Sequence, residues 1–110
     1  MIDFEDFHKV KLIVATILKA ENLDRAKKPA YKVELDCGEF GIKLSSAQIT
    51  NYTIEELIGK QVLVCVNLKP RNIAGFLSEV LITGFYQEDG SVILSSIDSK
   101  GVIKNGSRLG

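Results

Sequence analysis

The residues best suited to chemistry lie in one stretch, Asn67-Leu68-Lys69-Pro70-Arg71-Asn72-Ile73-Ala74-Gly75-Phe76-Leu77-Ser78-Glu79-Val80-Leu81. Lys69 and Arg71 flank Pro70. Arginine offers a phosphate two parallel hydrogen bonds, and lysine offers it a point charge. Proline restricts the residue before it, so the segment is partly ordered before any ligand arrives, which lowers the cost of binding. Asn67 follows the apolar run Val62 to Val66, and its amide is expected to project from the end of a strand. Two readings fit Phe76: an exposed platform for a nucleobase, worth about 1–3 kcal/mol, or a plug at one end of the fold. Ser78 fits a ligand contact or a satisfied turn, and a Lys/Arg loop is also what an ordinary solvated loop contains.

Catalytic constellations are missing from the rest of the sequence. There is no Gly-rich phosphate loop and no Gly-x-Ser-x-Gly elbow. Glu55 and Glu56 are adjacent carboxylates, but neighbouring helix positions do not face each other, and the first turn of a helix explains them better. The one histidine, His8, has no evident partner, and Cys37 and Cys65 stand singly in apolar patterns. These cysteines are expected to be reduced, buried thiols. The expectation is a protein without catalytic residues, metal or cofactor.

Composition agrees with a binding role. The chain has 110 residues, of which 45% are hydrophobic, enough for one globular domain over 1–110. Fourteen basic residues balance 14 acidic ones, which argues against a bulk polyelectrolyte binder but leaves room for a local patch. Asp3, Glu5 and Asp6 make the start acidic, whereas Arg25, Lys27, Lys28, Lys32 and Lys43 enrich a later segment in bases. No apolar stretch is long enough to cross a bilayer, and no leader pattern is visible, so a cytoplasmic protein without membrane insertion is expected.

The elements that must position these residues read in order. Asp3 caps a short helix carrying Phe4 and Phe7. Ile2, Phe4 and Phe7 need a surface to dock on, either the domain body or a second subunit. Val10 to Ala20 alternates with both faces partly apolar, as in a long strand covered on both sides. Tyr31 to Cys37 alternates strictly. A tight turn at Gly38-Glu39 then leads to a return strand with Phe40, Ile42 and Leu44 inward. Ser45-Ser46-Ala47-Gln48 and Thr53-Ile54-Glu55-Glu56 both have capping-box spacing, and Gly59 ends the second helix. Gln61 to Leu68 and Glu79 to Tyr86 read as further strands. An Asp89-Gly90 turn opens a hairpin into Val92 to Ile97, and Asn105-Gly106 is another turn. Val102, Ile103 and Leu109 would anchor the tail. Five strands with a short helix between the third and fourth define an all-β fold, the OB-fold Greek-key barrel, here with an N-terminal helix and a C-terminal hairpin extension.

The order and spacing of several segments carry a family resemblance. Arg25-Ala26-Lys27-Lys28-Pro29-Ala30-Tyr31-Lys32, Ser45 to Thr50, Glu55 to Lys60 and Asn67 to Leu81 together resemble the CsaA branch of the tRNA-binding-domain family. The resemblance implies a homodimeric OB-fold that recognises tRNA by shape. By matching position it assigns Lys32, Asn67, Lys69, Arg71 and Ser78, with Ser46, to the RNA backbone. It also implies chaperone-like contact with unfolded polypeptides or the export machinery. Ile73, Phe76 and Leu77 are the apolar residues that would serve this, and Ile2, Phe4 and Phe7 are matched to the dimer contact. Asn72 and Leu77 stand where that branch is often basic or polar, and Glu79 adds a negative charge beside the implied backbone site.

Overall fold

The computed structural model describes residues 1–24 and 26–110; Arg25, counted above among the bases of the first loop, lies outside the described residues. The chain runs α1 (Phe4–His8), β1 (Leu12–Asn22), β2 (Tyr31–Asp36), β3 (Ile42–Ala47), α2 (Ile54–Leu57), β4 (Gln61–Cys65), β5 (Arg71–Ile73), β6 (Phe76–Ser78), β7 (Leu81–Ile82), β8 (Gly84–Tyr86) and β9 (Val92–Leu94). The main sheet has the antiparallel order β3-β2-β1-β4-β7 and curls into a nearly closed OB-like barrel. The helix between the third and fourth sheet strands falls where the element order predicts.

β1 is long because it serves two sets of neighbours. Its first half, Leu12 to Thr16, pairs with β4, and Thr16 to Asn22 pairs with β2, with a register break between Ile17 and Lys19. The free edge of the first half is taken by the C-terminal tail: the Val14 amide donates to the Ser107 carbonyl at 2.9 Å and the Gly106 amide to the Val14 carbonyl at 2.7 Å. Val14 is therefore buried along with Ile13, Ala15 and Ile17, which explains why both faces of this strand are apolar. The barrel interior gathers Ile13, Ile17, Val33, Leu35, Val62 and Val64, with Leu57 of α2 also fully buried.

Three sequence expectations are corrected. First, the β2–β3 connection is not a two-residue turn. Gly38–Phe40 forms a 3-10 turn, and Leu35 pairs with Lys43 and Asp36 with Ile42. The extra residue shifts the register by one and turns every side chain of β3 to the opposite face. Ser45 thus lies in the core, while Ile42 is 53% exposed. Second, Ser45 to Gln48 forms no helix: Ser45 and Ser46 belong to β3. The Thr53 box does form, with the Glu56 amide donating to Thr53 Oγ1 at 3.2 Å and the Thr53 amide to Glu56 Oε1 at 2.8 Å. Third, Val102, Ile103 and Leu109 are exposed and do not anchor the tail. Polar groups hold it instead, with Thr16 Oγ1 2.8 Å and Gln61 Nε2 3.2 Å from Asn105 Oδ1.

Gly38 makes the tail's seat. A Cβ there would lie 2.0 Å from the Asn105 carbonyl oxygen, and its φ is +64°. Gly59, which ends α2, has φ +85° but open space around it. Gly59→Ala is therefore expected to cost about 1 kcal/mol in backbone strain alone. Gly38→Ala should cost about 3 kcal/mol or more, because backbone must also move. Urea midpoints of the two variants measure the difference; equal losses would mean that the tail is not seated on Gly38.

Candidate nucleic-acid interface

The stretch from Asn67 to Leu81 is a hairpin, not an irregular loop. β5 and β6 pair Arg71 with Ser78, Asn72 with Leu77 and Ile73 with Phe76. Ala74 and Gly75 form the connection with φ of 49° and 90°, the positive pair that suits the twist of a two-residue hairpin turn. Sequence gives little sign of this turn, because alanine rarely takes a positive φ and strands of three residues are too short to show a period.

β6 docks on β3 through a compact set of bonds. The Glu79 amide donates to the Leu44 carbonyl at 2.8 Å, and the Leu44 amide donates to Glu79 Oε1 at 3.1 Å. The Ser46 amide donates to Ser78 Oγ at 3.1 Å. Glu79 also lies 4.0 Å from Lys43 Nζ. The carboxylate that looks unfavourable for an anion in the sequence is thus partly neutralised inside the fold.

These bonds align side chains from successive strands. Glu21 of β1 pairs with Lys32 of β2, and Lys32 pairs with Ser46 of β3. Ser46 touches Ser78 of β6, which pairs with Arg71 of β5. Lys69 joins the far end: Ser46, Lys69, Arg71 and Ser78, together with Glu79, line one narrow cleft of about 110 Å³. Ser46 and Arg71 also wall a second cleft of about 560 Å³ whose other side carries Lys27 and Lys28. Those two lysines, together with Gln48 in the same cleft, are the site residues that the sequence reading did not select, although the basic run through Lys27 and Lys28 was visible.

Among the described residues, Lys27, Lys28, Lys69 and Arg71 make no ion pair, whereas Lys9, Lys32 and Lys43 each face a carboxylate. Lys32 is less free than its position suggests. Its ammonium lies 3.9 Å from Glu21 and 5.3 Å from the centre of the Phe76 ring. Phe76 is accordingly half-buried under Lys32, closer to the plug than to the open platform. Ile73, Phe76 and Leu77 do not form one apolar face, because the pairing puts Ile73 and Phe76 on one side of the hairpin and Leu77 with Asn72 on the other.

Asn67 departs most from its expected geometry. Its Oδ1 accepts the Lys11 amide at 2.8 Å and its Nδ2 donates to the Lys9 carbonyl at 2.6 Å. The amide ties the end of β4 to the chain leaving α1, while the residue itself stays exposed. Cys37 is buried, and that burial, with Asp36 second, pushes its thiol up to about 11. At neutral pH it is therefore protonated and a poor nucleophile.

Fold and site define a small OB-type binding module whose rim presents cations, hydroxyls and amides. The putative tRNA-binding-domain model matches residues 12–108, and the chain belongs to that family. It is 38% identical over 109 residues to a methionine–tRNA ligase of Methanococcus vannielii, covering 99% of this chain but 16% of the ligase. A methionine–tRNA ligase of Bacillus anthracis is likewise 38% identical, over 98% of this chain and 16% of the ligase. The chain thus spans about a sixth of the length of these curated relatives. Among solved structures, the chaperone CsaA from Bacillus anthracis superposes with a TM-score of 0.89 at 41% identity, covering 100% of this chain and 99% of that one. A CsaA chaperone protein from Picrophilus torridus gives 0.89 at 40%, over the full length of both chains.

Asn67→Ala should lower the unfolding free energy by about 1–2 kcal/mol, since it leaves the Lys11 amide and Lys9 carbonyl without their partner. Its RNA affinity should keep the wild-type salt slope. Unchanged stability with lost RNA binding would instead make the amide a ligand group.

Proposed function

We propose that this domain is a non-enzymatic RNA-binding module that takes the sugar-phosphate backbone of folded tRNA along the row Lys32, Ser46, Ser78 and Arg71, with Lys69. Lys27 and Lys28 extend the contact across the neighbouring cleft. Membership of the tRNA-binding-domain family supports tRNA as the partner, and a cytoplasmic location follows from that partner. The observation that carries the reading is the convergence of cations without carboxylate partners on clefts that share Ser46 and Arg71. Shape recognition fits, because cations and hydroxyls of this kind suit phosphate and sugar oxygens.

The site is proposed to work as a homodimer joined through the chain ends. Ile2 and Phe4 are exposed, the latter at 69%. α1 buries none of its residues. The tail runs beside it, with the Arg108 guanidinium donating to the His8 carbonyl. Val102 and Ile103 add apolar surface that the chain itself leaves uncovered. Two copies of the cation row on one particle would raise avidity without any new contact.

A second reading, holding of unfolded polypeptides, is favoured by the CsaA chaperones among the solved neighbours. On this chain it would use Ile73 and Phe76, half-buried on the hairpin side that carries Arg71, and Leu77, exposed on the other side.

Arg71→Ala or Lys69→Ala should weaken binding to different tRNA species alike and reduce the log–log salt slope by about 1. Titrations over a salt range test this, and absence of tRNA binding at low salt would exclude the RNA reading. Suppressed aggregation of a client protein that survives Arg71→Ala would instead support the polypeptide reading. For the dimer, Phe4→Glu should shift the sedimentation coefficient to that of a monomer while the melting curve is retained. A wild-type protein that already sediments as a monomer would remove this part of the proposal.

A further inference from the structure

Phe4, Phe85 and Tyr86 are aromatic rings used neither by the core nor by the cation row, and of these Tyr86 shares a cleft with Arg71. Tyr86 ends β8 and is 82% exposed. Phe85 pairs with Ile93 on one face of the β8–β9 hairpin, while Gly84 pairs with Leu94 and Tyr86 with Val92 on the other. Leu94 is buried and Val92 half-buried, so this second face is seated on the barrel and Tyr86 is its free outer end. The other tyrosines are tied down by their hydroxyls: Tyr31 donates to the Tyr52 carbonyl at 2.8 Å, and Tyr52 accepts the Leu94 amide at 3.1 Å. No hydrogen bond holds the Tyr86 side chain among the described residues.

The ring has a defined setting. Tyr86, Arg71, Ser46 and Gln48 line one cleft of about 490 Å³, within the range of about 300–1,000 Å³ typical of ligand sites. Arg71 and Ser46 make it continuous with the two clefts described above. The hairpin tip is braced, with the Gln87 amide donating to the Ser91 carbonyl at 2.8 Å and Asp89 Oδ1 accepting the Ser91 amide and hydroxyl at 2.9 and 2.6 Å. An aromatic ring on a braced hairpin, sharing a cleft with an unpaired guanidinium, matches the two halves of a nucleotide: a flat base that stacks and a phosphate that takes charge-assisted hydrogen bonds.

We propose that Tyr86 is a stacking platform for one unpaired nucleobase of the bound RNA, with the adjoining phosphate on Arg71 and the base's polar edge toward Gln48 and Ser46. This rests on the RNA-binding reading and adds a base contact to a backbone interface. Leu81, Ile82 and Val92 also line this cleft, as the flat face of a base requires, and its continuity with free cations favours a nucleotide over an apolar peptide side chain.

The test compares wild type, Tyr86→Ala and Tyr86→Phe against folded tRNA, a short single-stranded RNA and the same strand with abasic sites. Tyr86→Ala should weaken binding of the base-bearing strand about tenfold or more. Tyr86→Phe should retain it, and the abasic strand should not distinguish the variants. The salt slope should not change, because no charge is removed. If wild type binds folded tRNA with salt dependence but Tyr86→Ala binds the base-bearing strand equally well, this proposal is overturned and the backbone reading stands. If wild type binds no RNA at low salt, both fall. A Tyr86→Ala variant that loses only capture of an unfolded polypeptide would assign the cleft to peptide and likewise overturn it.

Discussion

The structure depends on the seam between β3 and the segment Ser78 to Val80. Leu44 accepts the amides of Glu79 and Val80 at 2.8 and 3.3 Å and gives its own amide to the Glu79 carboxylate. One residue pair further on, the Ser78 hydroxyl takes the Ser46 amide. Each such bond is worth about 1 kcal/mol net, but together they cover an edge that would otherwise stand open. They also support β5 and β6, because a lone two-stranded ribbon is marginal in water. Arg71 is placed by that ribbon, so the bonds that close the barrel also position the cation row.

Zero net charge conceals how the charges are distributed. Many of the acids are committed within the chain: Asp6 to the Asp3 amide, Glu21 to Lys32, Glu56 to the Thr53 amide, Glu79 to Lys43 and Leu44, and Asp98 to the Lys100 amide. What remains near Ser46 is Lys27, Lys28, Lys69 and Arg71 without carboxylate partners among the described residues. At physiological salt, fields decay over about 8 Å, so an approaching phosphate responds to this neighbourhood more than to the total of 14 against 14. A balanced composition therefore excludes less than it first suggests.

The sequence made the barrel legible and left its details to tertiary context. Alternation in β2 and the Thr53–Glu56 box were readable because local chemistry and final structure agree there. Ser45 to Gln48 has the same box spacing, yet Ser45 to Ala47 pair with β2 on one side and the Ser46 amide is taken by Ser78 on the other. Propensity loses to a ladder that sequence cannot display. The phase of β3 failed for a smaller reason: a single additional residue in the Gly38 turn. At the candidate site, Lys69 and Arg71 stood out by residue type, and the fold gives neither an ion-pair partner among the described residues. Asn67 was not legible, since its partners Lys9 and Lys11 lie more than 50 positions away. Lys32 was legible as a position but not as an occupied charge, because Phe76 and Glu21 reach it only in the fold.

Asn67 also gives the chain ends a route to the cation row. α1 exits through Lys9 and Lys11, whose backbone groups are held by the Asn67 amide, and Asn67 begins the stretch that carries Lys69 and Arg71. In the proposed dimer, covering Ile2 and Phe4 would fix α1, and through Asn67 would fix the base of the hairpin in each protomer. A loop ordered in this way loses less freedom when a phosphate arrives. A short chain with a small core would thus gain twice from pairing, once in buried apolar surface and once in a better-ordered interface. In such a dimer the exposed Phe4 would be part of the binding design and not only a structural remainder.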